Sequence, residues 1–286
     1  MKNYGVALHG NLPLDNIYIA SNSPIKGANS IAKKFIQRPG GIANLANAFK
    51  ELDPGFPVMV NSSVGMDWYG DVITFWLASK NIISNIRYST KLLTSSACII
   101  IDEVRSDQTS VVKWGACQFI SVKDIFDVGQ EYIWNHFAYI DTFNPTLYRD
   151  MLPKIQKLRY NGCIVSADLA GVFVKTPDNF FHDLSLFDYI FISIDDIYKY
   201  RLPESSKIIY HGPSSIALSW DNDSKYTGVL NPEIVDCVGA GDILAAVIIK
   251  TILDLGRTID ATDLENIYNT TENILLKQQE IREFIW

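Results

Sequence analysis

The sequence predicts an α/β fold: one main domain on a mostly parallel sheet flanked by helices, with a small β insertion near the N-terminal end. Three observations carry that prediction. Short apolar runs alternate with helical stretches along much of the chain, which is the pattern of βαβ units. One region, from about 83 to 114, breaks the alternation: "IRYSTKLLTSSACIIIDEVRSDQTSVVKW" is rich in β-branched residues around a polar "RSDQ" turn. Finally, 286 residues at 48% hydrophobic and 20% charged make an ordinary globular chain, and no Pro/Gly/Ser-rich linker divides it.

The elements follow in order. "YGVALHG" reads as a first strand ending on a glycine. "NIYIASN" and "IAKKFIQ" are candidate strands leading to "RPGG". In "IANLANAFKEL", Ile42, Leu45, Ala46, Phe49 and Leu52 recur at helical spacing, so Gly40 and Gly41 stand just before a helix N-terminus. "VMVNSSVG" is a strand and "DWYGDVITFWLASKN" a helix whose aromatics read as core. After the β-branched region come "FAYIDTF" as a strand and "PTLYRDMLPKIQKLRYNG" as a helix opening on Pro145. "CIVSADLA", "LFDYIFIS" and "SKIIYHG" are strands. The chain closes on a long apolar helix, "GAGDILAAVIIKTILDLG", capped by Gly256, and a polar helical tail.

Composition excludes several function classes. A net charge of −7 argues against a general nucleic-acid binder. Cys98, Cys117, Cys163 and Cys237 form no CxxC pair, so neither a thiolate zinc site nor a disulfide framework is expected. They read as four buried, reduced thiols, which suits a cytoplasmic protein. The N-terminal stretch lacks the apolar core of a signal peptide, and no run approaches the ~18 apolar residues of a membrane span. His9, His136, His182 and His211 show no metal-binding spacing, and no G-x-S-x-G elbow occurs.

The stretch with chemistry in it is "DCVGAGD", residues 236 to 242. Gly239 and Gly241 allow the backbone to approach a ligand closely. The first helical turn beyond them offers unpaired N–H groups and a positive dipole end, which together make an anion site. Asp242 lies in that same turn. A carboxylate beside a bound anion does not hold it by charge, but it fits a general base for a nucleophile attacking that anion. The plainer reading stays open beside it: a tight Gly-x-Gly turn with an acid favourably placed on the helix dipole. No lysine follows the glycines, so this is not a Walker A loop.

"DCVGAGD" before an apolar helix resembles the C-terminal signature of the ribokinase (PfkB-type) carbohydrate kinase family, D-T-x-G-A-G-D. Three further segments resemble that family: "HGNLPLD" at 9–15, "GGIANLANAF" at 40–49 and "VGMDWYG" at 64–70. Their order and spacing span nearly the whole chain. The resemblance implies a ribokinase-like three-layer α/β sandwich with a small β-sheet lid, formed here by segments near 14–38 and 86–114. It implies ATP and Mg²⁺ as cofactors and a sugar or sugar-like acceptor. By the same comparison Asp242 matches the base, and the backbone of Gly239, Ala240 and Gly241 the anion hole. Asp236 matches the acid on the metal and phosphate side. Asp15, Gly40, Gly41 and Asn44 match sugar-contacting positions, with Asn47 as the alternative to Asn44. His9 ends a strand near that presumed site; a structural role is favoured over a sugar contact.

The sequence also departs from the pattern. Cys237 replaces the usual threonine, and the asparagine after the double glycine falls one residue early. The family's N-x-x-E motif becomes Ser193-x-x-Asp196, which makes Asp196 the candidate metal residue with one methylene less reach. The nucleotide strand keeps Gly212 of T-x-G-x-x-G but carries Tyr210 and Ser215 at the outer positions. Arg105 stands where a basic residue often follows the insertion, without its glycine. The resulting expectation is an ATP-dependent carbohydrate kinase. A nucleoside kinase of the same fold and a catalytically weakened sugar-binding sensor are the alternatives. A lid sheet has an outer face to cover, so a homodimer through the lid is expected. Lys33, Lys34 and Arg38 lie on or beside that lid, where they read as a solvated basic face or as contacts for an anionic substrate.

Overall fold

The computed structural model describes residues 3–24, 29–104, 107–169, 184–212, 215–219, 225–228, 234 and 237–283. Asp236 and Arg105 lie outside these residues.

A nine-stranded sheet forms the middle layer. Its strands are β1 (Asn3–Gly10), β4 (Val58–Gly65), β5 (Ile83–Ser89), β8 (Tyr132–Ala138), β9 (Ile164–Leu169), β10 (Tyr189–Ser193), β11 (Lys207–Gly212), β12 (Ser215–Leu218) and β13 (Lys225–Thr227). They run in the order β13-β12-β11-β10-β9-β8-β1-β4-β5. Every pairing from β11 to β5 is parallel, and only the β11–β12 and β12–β13 pairs are antiparallel. Apolar runs in the sequence become strands buried on both faces. In β10, Tyr189 and Phe191 face one side, and Ile190 and Ile192 the other.

Helices cover both faces. On one side pack α1 (Ile42–Leu52), α2 (Trp68–Ser79), α5 (Ala240–Leu255) and α6 (Ala261–Glu283). On the other pack α3 (Val122–Gly129) and α4 (Pro145–Tyr160). Helix α5 is apolar nearly all round because it lies between the sheet, α1 and α6, so it has almost no solvent face. Gly256 ends it at φ +61°, as its position in the sequence suggests. Pro145 opens α4, and the Asn144 side chain accepts a hydrogen bond from Leu147 N at 2.9 Å.

A second sheet holds β2 (Leu14–Ala20), β3 (Ala32–Pro39), β6 (Ser96–Asp102) and β7 (Asp107–Lys113) in the order β3-β2-β6-β7. Its inner face presents Ile17, Ile19, Ile36, Ala97, Ile99 and Ile101, packed against Val238 of the loop before α5. The expected insertion near 86–114 needs a correction at its start. Residues 86–89 belong to β5, which pairs in parallel with β4 at the edge of the large sheet. β-Branched content cannot separate an edge strand of one sheet from a strand of another. A second correction concerns the thiols: Cys117 and Cys163 are buried, but Cys98 is exposed on the outer face of the small sheet and Cys237 is half-buried. No helix among the described residues is long and apolar enough to cross a membrane.

Candidate active site

The chain order fixes where a ligand can sit. From β1 the chain moves outward through β4 and β5, then returns to the other side of β1 with β8, β9, β10 and β11. The order reverses between β1 and β8. In open parallel sheets the crevice at the carboxyl ends beside such a reversal is where ligands bind. Of the residues singled out in the sequence, Asn44 and Asp242 are hydrogen-bonded to each other, and Asp15 packs over Gly40.

Asp242 stands in the first turn of α5 and is buried. Its Oδ2 accepts from Asn44 Nδ2 at 2.9 Å and its Oδ1 accepts from the Tyr139 hydroxyl at 2.7 Å. Burial raises its pKa to about 6; the Tyr139 and Asn44 hydrogen bonds and the Arg38 charge oppose that rise without cancelling it. Gly239, the N-cap, has φ +81°, and a Cβ there would lie 2.6 Å from Asn44 Nδ2. Glycine is needed for the left-handed turn and for the asparagine to reach the acid. At Gly241 a Cβ would come within 3.0 Å of His211 Cε1. The Ala240 N–H is spent on the Cys237 carbonyl at 3.0 Å. The Gly241 and Asp242 N–H groups bond to no described residue, as unpaired donors of a first helical turn do.

A second wall of the site is built by the turn after β1 and the root of the small sheet. Gly40 N donates to Pro13 O at 2.9 Å and Ile42 N to Asn11 O at 3.0 Å, which ties the double glycine to that turn. Gly41 caps α1 at φ +57°, ψ −128°, a conformation open only to glycine. The Asp15 carboxylate is buried directly over Gly40, where a Cβ would lie 2.0 Å from its Oδ2. Arg38 stands opposite Asp15 across the β2–β3 ladder and donates from Nη2 to Val238 O at 2.9 Å. This arginine therefore joins the small sheet to the loop before α5. Asn44 is occupied by Asp242, whereas the Asn47 Oδ1 is buried without a partner among the described residues.

On the other flank, Ser193 ends β10 and Gly212 ends β11. Asp196 N bonds to the Ser193 carbonyl at 2.9 Å, and its carboxylate forms an ion pair with Lys199. Among the described residues no group of three or more His, Cys, Asp or Glu side chains could hold a metal by itself.

Three site residues were not singled out in the sequence: Tyr139, Asp168 and Asp141. Tyr139 follows β8 in a left-handed conformation. Asp168 lies near the end of β9, buried, with its pKa raised well above the ordinary value by burial and by the neighbouring charges of Asp242 and Asp141. Asp141 accepts from the Tyr200 hydroxyl at 2.7 Å. An acid closing an apolar run, as in "SADLA" and "YIDTF", is the signal that could have found the two aspartates. His9 is not at the site. It lies inside the sheet, between Asn135 (3.0 Å) and Asn61 (3.1 Å), and burial lowers its pKa to about 4.

No family model and no curated protein matches this sequence. Solved structures match over nearly the whole chain. A ribokinase from Giardia lamblia is 18% identical, with a TM-score of 0.77, over 96% of this chain and 90% of that one. A putative ribokinase II from E. coli, in complex with ATP and Mg²⁺, is 20% identical, with a TM-score of 0.71, over 89% and 87%. An uncharacterized sugar kinase from Pyrococcus horikoshii, in complex with ATP, is 19% identical, with a TM-score of 0.69, over 95% and 91%. The nine-stranded sheet, the small second sheet and the crevice between β1 and β8 thus make up the ribokinase-like α/β fold, and this chain has it.

Proposed function

We propose that the protein is an ATP-dependent kinase that transfers the γ-phosphoryl group to a hydroxyl of a sugar or sugar-like acceptor. One observation carries the reading: a buried carboxylate, Asp242, held beside two unspent N–H groups at the start of α5. The acceptor oxygen attacks the γ-phosphorus, the bond to the β-phosphate oxygen breaks, and the acceptor proton passes to Asp242. Within the loop matched as the anion hole, the Ala240 N–H is already bonded to the Cys237 carbonyl, so the Gly241 N–H and its neighbour on Asp242 receive the charge that develops on the phosphoryl oxygens. Asp15, Gly40, Gly41 and Asn44 form the acceptor side, with Asn44 acting through Asp242. Ser193, Gly212 and Asp236 belong to the nucleotide side. The small sheet, rooted beside the acceptor side, serves as the lid that excludes water from the transfer.

The nucleotide flank fits a Mg²⁺ that takes most of its ligands from phosphates and water, since Asp196 is half-buried there and no cluster of three ligating side chains stands among the described residues. When bound, such an ion neutralises phosphate charge. Asp196 would hold it, through water, after leaving Lys199.

The test is an ATP-consumption screen across sugars, sugar acids, sugar phosphates and nucleosides with Mg²⁺. Acceptor-dependent ADP release supports the reading. No release on the whole panel, with ligand binding retained, favours a sensor. Nucleosides as the best acceptors would move the assignment to a nucleoside kinase. Sugar phosphates as the best acceptors would assign Arg38 and Lys34 to substrate.

Two expectations follow. Because the base must be ionised, kcat/KM falls about tenfold per pH unit below about 6, read from a pH–rate profile. The outer face of the small sheet exposes Tyr18, Phe35 and Val111, with the first two rings 5.0 Å apart. This face is read as the contact with a second copy, so light scattering should give a dimer that Phe35→Glu turns into a monomer.

A further inference from the structure

We propose that Tyr139 is a positioning residue for the base: its hydroxyl and the Asn44 amide, reaching in from different elements, fix the Asp242 carboxylate in one orientation and favour its charged form. The inference rests on the reading of Asp242 as the base.

A carboxylate has two oxygens with two lone pairs each. Tyr139 occupies one lone pair on Oδ1 (2.7 Å) and Asn44 one on Oδ2 (2.9 Å). Rotation about the Cβ–Cγ bond would break both bonds at once, so the carboxylate plane is set. One lone pair on each oxygen stays available for an incoming hydroxyl.

The backbone points the same way. Among the described residues only two non-glycine residues have positive φ, Asn81 at 53° and Tyr139 at 57°. Asparagine tolerates that conformation, whereas for a tyrosine it is a strained choice that surrounding contacts must enforce. They do. The Tyr139 carbonyl accepts from Thr142 N at 2.9 Å and from Thr142 Oγ1 at 2.7 Å. That hydroxyl in turn accepts from Asn11 Nδ2 at 2.6 Å. A chain of bonds from the turn after β1 therefore holds the twist that ends β8 and carries the phenol to Asp242.

Toward the Asp242 carboxylate the phenol is the donor, and it keeps its proton. Burial and the charges of Asp242, Asp168 and Asp15 keep its own ionisation well above the ordinary value. The groups facing Asp242 are then Asn44 from α1, Arg38 from β3, Tyr139 after β8 and Asp168 from β9. Arg38 and the two donors favour the carboxylate, and burial disfavours it; Asp168 is the acid whose own ionisation the Asp242 charge opposes. Removing one donor leaves the others in place and makes the acid harder to ionise.

The test compares wild type with Tyr139→Phe, which loses only the hydroxyl, and Tyr139→Asn, which suits the positive φ and lacks the reach. Asp242 is followed by NMR titration of protein labelled with ¹³C at aspartate carboxyls, assigned by the signal missing in Asp242→Asn. In both variants its midpoint should rise by about one pH unit. The acid limb of the pH–rate profile should move up with it. kcat should fall about tenfold at neutral pH while the ATP KM stays unchanged. A variant that melts earlier but titrates and turns over as wild type would reduce Tyr139 to a packing residue and overturn the proposal. If wild type phosphorylates no acceptor, the kinase reading fails, and the titration still decides whether Tyr139 sets the carboxylate.

Discussion

Asp242→Asn is expected to lose at least about a thousandfold in kcat while binding ATP as wild type does, and to gain stability at neutral pH. The first half follows from chemistry. The amide keeps the shape and can still meet Asn44 and Tyr139, but it cannot take the acceptor's proton. The second half follows from linkage. The carboxyl is raised from 3.8 to about 6. A raised carboxyl pKa means that its contribution to stability is fully present below about pH 4 and is lost as pH climbs through 6. At pH 8 the folded protein bears the full cost of an ionised buried acid, on the order of 3 kcal/mol. Asparagine removes that cost. Thermal melts should therefore coincide near pH 4 and separate above pH 6, with the variant higher. Coupled ADP-release assays give the rate half. Turnover within tenfold of wild type would remove Asp242 from the role of base. Equal melts at pH 8 would mean that the site stabilises the charge it buries.

Parts of this site were legible in the sequence because glycine and charge have few alternative meanings there. Gly40, Gly41 and Gly239 mark places where the backbone or a neighbouring side chain leaves no room for a Cβ, and Gly241 one where His211 leaves little. Asp242 directly after such a turn announces a charge at a helix start. Alternation of strand and helix gave the parallel sheet, and Pro145 and Gly256 gave helix ends. Tyr139 was not legible. Its role depends on a left-handed backbone that nothing about tyrosine signals, enforced by Asn11 and Thr142. Asp168 ends up beside Asp242, and Asp141 beside Asp168, because β8 lies next to β1 and β9 next to β8, an adjacency set by strand order. His9, for which the sequence favours a structural role, is hydrogen-bonded between Asn61 and Asn135 inside the sheet. The place of β5 in the large sheet was hidden, since an edge strand and an insertion strand share a composition.

Gly40→Ala is expected to damage the acceptor side alone. The backbone at Gly40 is not left-handed, so conformational strain is not the reason. The reason is space: the new methyl would sit 2.0 Å from Asp15 Oδ2 and 2.4 Å from its Cγ. The carboxylate is the end of a short side chain at the root of β2, so it must swing off the glycine and out of register with an acceptor hydroxyl. A hydrogen bond to a charged group contributes enough that its loss raises the acceptor KM by about ten- to a hundredfold. ATP binding, which the proposed function assigns to Ser193 and Gly212, should be unchanged by calorimetry. The double variant Gly40→Ala/Asp15→Ala separates the mechanisms. If the methyl acts by displacing the carboxylate, Asp15→Ala alone costs nearly as much as the pair, and the coupling is large. Additive effects would mean that Gly40 matters through its bond to Pro13 and the shape of the turn. In that case the two positions shape the acceptor side independently, Gly40 through the backbone and Asp15 through its carboxylate.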